Sequence, residues 1–160
     1  PAYMRTALSN KSKLHHIALS LSELSHLIEK TEREIYEKTN GPVKPKEFRH
    51  NLPHLRKDIY DEVNLAWTQV KSMASELDIT IDSTLSDKAL DRFETQLLDG
   101  YDLFMIETMN RAGIIQVVTD DGDYVTVPGI QVFTANVNVI KAARAQGKLI
   151  DRSIAPTLAP

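Results

Sequence analysis

Apolar positions along the chain recur with two periods, and the change from one to the other marks the predicted elements. Leu24, Leu27, Ile28 and Ile35 keep helical spacing to about Lys38, behind a serine cap at Ser20 or Ser22. The residues just before, Ile17, Ala18 and Leu19, read as a short strand, and residues 2–12 read as the end of a helix with Tyr3, Met4, Ala7 and Leu8 on one face. TNGPVKPK, residues 39–46, stops the second helix with a glycine and two prolines. The longest helical pattern comes after Pro53, where Ile59, Val63, Ala66, Trp67, Val70, Met73, Ala74 and Leu77 share a face. ITIDSTL (79–85) reads as extended, and SDKALDRFETQLL (86–98) as a capped helix. A further helix over 100–112 ends at Gly113, a suitable C′ residue. IIQVVT (114–119) is a β-branched run expected of a strand covered on both faces. IQVFTA (130–135) is a second strand, Asn136 or Asn138 caps a last helix, and residues 151–160 read as a tail.

Strands alternating with helices predict an α/β layer with a mostly parallel sheet, in one domain over 1–150. In such sheets function gathers at the carboxyl ends of the strands. That edge is where carboxylates crowd. TDDGDY puts Asp120, Asp121 and Asp123 within four positions at the exit of IIQVVT. Glu23 comes after the first predicted strand, and Asp102 sits in the first turn of the helix leading into IIQVVT. A helix dipole alone favours a carboxylate at Asp102, by about 0.3–1 kcal/mol. Several carboxylates on one rim would raise one another's pKa unless a cation sat between them. Mg²⁺ and Mn²⁺ take oxygen ligands and keep waters, and such an ion can acidify water and clamp a phosphodiester oxygen. Asp99, before Gly100, reads as a helix cap, and Asp123 as either a ligand or a stabiliser of the DGD turn.

Composition narrows the classes. The 160 residues contain no cysteine, which excludes disulfides and thiolate zinc sites. Net charge is −3, so a polyanion would have to be met by a local basic patch or a metal ion. Lys44, Lys46, Arg49, His50, His54, Arg56 and Lys57 form such a stretch, readable as an RNA-phosphate contact or as a solvated loop and helix start. No apolar run approaches a membrane span and no signal-peptide core comes after Pro1, so a cytoplasmic protein is the default expectation. His15 and His16, adjacent in a strand, point to opposite faces and cannot serve one site, so both read as surface and edge residues. Trp67 reads as core; Tyr101 and Tyr124 flank the acidic rim.

Three segments together resemble the PIN domain, a family of metal-dependent ribonucleases that includes toxins of type II toxin–antitoxin pairs. SLSEL, with Glu23, resembles the family's second acidic motif. In DLFMIETMNRAGIIQVVTDDGDY, Asp102, Gly113, Val117, Val118, Thr119, Asp120 and Asp121 fit the register of its third and fourth motifs, and VPGIQVFTAN resembles its last strand. The resemblance covers about 14–148 and implies a three-layer α/β/α sandwich. It implies Mg²⁺ or Mn²⁺ held by Glu23, Asp102, Asp120 and Asp121 or Asp123, with RNA as substrate, an antitoxin as partner and a homodimer as assembly. The family's first motif, a strand ending in Asp-Thr/Ser-Asn/Ser, has no counterpart here, and the expectation is that a strand and helix precede Pro1 in the natural protein. The alternative from another class is a non-catalytic PIN-like module that binds RNA or protein. A receiver-like domain ranks below both, because Lys141 and Lys148 fall inside the last helix.

Overall fold

The computed structural model describes residues 2–150, with the side chains of Ala2–Met4 and Thr6 excepted, so the tail at 151–160 lies outside the described residues. The chain is mixed α/β and divides into two compact units, Arg5–Ser83 and a second that joins the residues before Arg5 to those from Thr84 onward. A helix α1 spans Ala2–Ser9.

In the first unit, β1 is His15–His16, α2 Ala18–Asn40, α3 Pro45–Asn51, α4 Arg56–Met73 and β2 Ser75–Glu76. The strand expected at Ile17–Leu19 is shorter and earlier. Ile17 is the extended residue before α2, and its amide donates to Ser20 Oγ (3.3 Å), so Ser20 acts from inside the first turn and the helix begins at Ala18. α2 ends at Asn40, where Gly41 takes a positive φ of 84°. The proline-rich stretch, expected only to break the helix, also starts the next one: Pro45 sits at the first helical position of α3, where its missing N–H costs nothing. Phe48 of α3 is buried and meets Tyr36 of α2 edge-on, centroids 5.7 Å apart. α4 stops short of the Leu77 that its apolar spacing predicts. Ala74 turns extended, and Ser75 and Leu77 donate to Leu14 and His16 (both 2.9 Å), giving a parallel pair with β1. α2 and α4 pack on each other, with Ile17 and Ile59 buried. His16 is buried too, its ring edge-on to Trp67 at 4.8 Å, which corrects the surface reading. His15 points the other way and is exposed, as strand alternation requires.

The second unit is built on α5 (Ser83–Phe93), α6 (Gly100–Arg111), β3 (Gln116–Val118), β4 (Gln131–Phe133) and α7 (Val137–Ala145). α5 starts in the stretch expected to be extended and ends before Leu98, which instead drops into the core. α6 is the centre of this unit. Its Leu103, Ile106 and Met109 are buried with Ala89, Leu98, Tyr124 and Val127, and each large apolar side chain so buried contributes about 1.5–3 kcal/mol. The helix ends as expected at Gly113 (φ 65°), with Ile114 N donating to Met109 O at 2.8 Å. β3 and β4 pair in parallel, Val117 opposite Val132. β3 is not covered on both faces: Val117 packs on the core while Ile115 and Val118 are 53% and 44% exposed. The period of two puts Val118 on the face opposite Val117. Both strand pairs are parallel, as predicted, but among the described residues they are two separate two-stranded sheets.

Candidate functional site

The parallel crossover from β3 to β4 fixes the path of the backbone beyond Val118. Thr119 N extends the ladder by donating to Phe133 O (3.0 Å), and its hydroxyl accepts from Asp121 N (3.1 Å). Asp121 Oδ1 accepts from Asp123 N (2.8 Å), a local Asx turn that starts a 3₁₀ turn over Asp123–Thr126. The crowding of aspartates is therefore partly turn chemistry.

Asp120 holds the two strand exits together. Its Oδ1 accepts from Thr134 Oγ (2.9 Å) and Ala135 N (2.7 Å), and its carbonyl accepts from the Asn136 amide (2.9 Å). Asn136 Oδ1 then accepts from Asn138 N (3.0 Å) and caps α7, as predicted. Hydrogen bonds from Ala135 N and then the Thr134 hydroxyl favour the ionised form and hold the Asp120 carboxyl below the ordinary 3.8.

Asp102 is in the first turn of α6, whose cap is Asp99: Asp99 Oδ1 accepts from Tyr101 N (3.0 Å) and Asp102 N (3.2 Å). The capping reading of Asp99 holds. Asp102 Oδ1 accepts the hydroxyl proton of Tyr124 at 2.7 Å, a bond between the start of α6 and the turn after β3. Tyr124 is only 4% exposed. Burial first, then the Asp102 carboxylate, then the negative fields of Asp121 and Asp99 push its hydroxyl far above the ordinary 10, so it serves as a donor. Tyr101, beside Asp102 on α6, is 45% exposed.

Glu23 lies more than one turn inside α2 and is half-buried, in the first unit, whereas Asp102, Asp120, Asp121 and Asp123 belong to the second. The all-oxygen donor chemistry of the rim suits Mg²⁺ or Mn²⁺. Its number does not complete a centre: among the described residues no group of three or more His, Asp or Glu side chains is placed to hold a metal ion.

Three of the seven basic residues of the stretch are paired within their own unit. Arg49 and Arg56 both pair with Glu29 of α2, the latter at 3.1 Å, and Lys57 pairs with Asp61 one turn on. Sequence reasoning missed the Tyr124 anchor and the Thr134–Ala135–Asn136 clasp. Only the two polar residues after β4, Thr134 and Asn136, signalled the latter.

Comparison of the chain with protein-family models, curated proteins and solved structures gives no match.

Proposed function

We propose that the chain is a metal-dependent endoribonuclease of PIN type, with a three-layer α/β/α arrangement and its site at the carboxyl edge of the β3–β4 pair. The observation that supports it is the meeting of the start of α6 with the loop after β3, where Tyr124 joins Asp102 at 2.7 Å. Asp102, Asp120 and Asp121 would hold the ion, with Asp123 as the alternative to Asp121. A bound divalent cation supplies charge at a phosphodiester oxygen and an acidified water. The chain's own part is orientation. Asp120 is kept ionised and directed by Thr134 and Ala135, both bonding to a single carboxylate oxygen. Thr119 fixes the loop through Asp121 N. RNA is the substrate, and an antitoxin-type protein and a second copy of the chain are the partners this reading carries.

The test is cleavage of a single-stranded RNA with Mn²⁺, with EDTA, and by Asp102→Asn. Cleavage that stops in EDTA and falls at least about a hundredfold in Asp102→Asn supports the reading; unchanged metal-dependent cleavage by the variant removes Asp102 from it. One observation favours a second reading, a non-catalytic PIN-like module that binds RNA or protein: no three rim carboxylates form a metal-holding group among the described residues. Calorimetry separates them, since the module binds RNA or a protein and takes up no Mn²⁺.

A further inference from the structure

Tyr124 differs from every other aromatic residue near the rim. Its ring lies in the core with Leu103, Ile106 and Val127, yet it ends in a hydroxyl that meets a carboxylate. A phenylalanine would fill the same apolar space without placing a polar group there. A buried hydroxyl without a partner costs roughly 1–3 kcal/mol, so the tyrosine is stable here because Asp102 accepts its proton. The bond also spans 22 positions and joins two elements, the first turn of α6 and the 3₁₀ turn after β3. The ring is held by packing on one side, and a fixed ring fixes the oxygen it carries.

We infer that Tyr124 is a positioning residue: its buried hydroxyl holds Asp102 in one rotamer against the loop at 119–126. This rests on the nuclease reading for its purpose and stands on the geometry alone for its effect. Hydrogen bonds to a ligating carboxylate commonly set its orientation, and removing one weakens metal binding about 10–100-fold. Tyr124→Phe removes one oxygen and keeps the ring, which isolates that contribution.

The experiment has one readout without metal and one with it. In the metal-free protein, the Hα–Hβ couplings of Asp102 report its χ1 populations in wild type and in Tyr124→Phe. A single rotamer in wild type that becomes averaged in the variant supports the inference; a single rotamer in both overturns it. Mn²⁺ titration by calorimetry is the second readout, with affinity expected to fall about tenfold in Tyr124→Phe. Averaging of Asp102 with unchanged Mn²⁺ affinity reduces the bond to a structural tie and overturns the functional part. Absence of Mn²⁺ binding by wild type removes the nuclease reading, while the couplings still decide whether Tyr124 positions Asp102. Should Tyr124→Phe not fold, wild type alone carries the test. A slowly exchanging Tyr124 hydroxyl proton with a cross-peak to the Asp102 β-protons is expected, and its absence overturns the inference.

Discussion

Glu107 and Arg92 permit a sharp test of how the second unit is held together. Glu107 lies on α6 at 2% exposure and pairs with Arg92 of α5, whose side chain is 24% exposed. The ion pair uses Oε1 of the carboxylate, and Oε2 is buried without a partner. Removing the guanidinium strands a charge inside the core, which in buried pairs costs about 3–5 kcal/mol. Arg92 is a quarter exposed, so water reaches part of the vacated site, and Arg92→Met is expected to cost about 2–4 kcal/mol. At about 2–4 °C per kcal/mol for a chain of this size, Tm falls by roughly 4–16 °C. Urea unfolding followed by far-UV circular dichroism measures the loss, and faster hydrogen exchange of the α6 amides localises it. The double variant Arg92→Met with Glu107→Leu removes both charges and is expected to recover most of the stability, because apolar replacements of a buried pair are often neutral or better. A single Arg92→Met within about 0.5 kcal/mol of wild type would refute the reasoning, since the Glu107 carboxylate would then be reached by water.

Single contacts lead to further expected outcomes. Asn136→Ala loses both the α7 cap and the bond to the Asp120 carbonyl, and a drop of about 1–2 kcal/mol in urea unfolding checks it. Gly113→Ala meets no atom within 4 Å but must hold φ near 65°, so it costs about 1–2 kcal/mol through the backbone alone, again read by urea unfolding. The folded Asp120 carboxyl titrates below 3.8, so the unfolded chain binds the proton more readily; its contribution is complete above that value and fades as pH falls through the folded pKa. Asp120→Asn is therefore expected to flatten the acid limb of the stability curve, checked by melts from pH 5 downward. Tyr124 is expected to stay protonated through pH 11 until the protein unfolds in alkali, which absorbance near 295 nm tracks.

Long-period features were legible in the sequence. Apolar spacing placed α2, α4 and α6, and the Asp99 cap and αL Gly113 placed the limits of α6, because these are local properties of backbone and side chain. Short features were not. β2 hides inside the apparent tail of α4, since Ser75 and Leu77 leave helical geometry only to bond Leu14 and His16 some sixty residues earlier, a contact that no local pattern encodes. Ile115 and Val118 read as buried because β-branched runs mark covered strands, but Val118 lies on the face opposite Val117 and Ile115 lies before the three-residue strand begins. At the rim, sequence placed Asp102 and the aspartates after β3 on one edge, and Tyr124 does link them. It did not anticipate that a carboxylate oxygen of Asp102, Asp120 and Asp121 would each accept an internal hydrogen bond.

The central claim is that the edge formed by the start of α6 and the exits of β3 and β4 receives a divalent cation. Paramagnetic broadening by substoichiometric Mn²⁺ in an amide-resolved NMR spectrum tests it most directly. The predicted result is selective loss of the Asp102, Asp120 and Asp121 signals, restored by EDTA and absent in Asp102→Asn. Broadening spread evenly over the acidic surface, or none at these three positions, would contradict it.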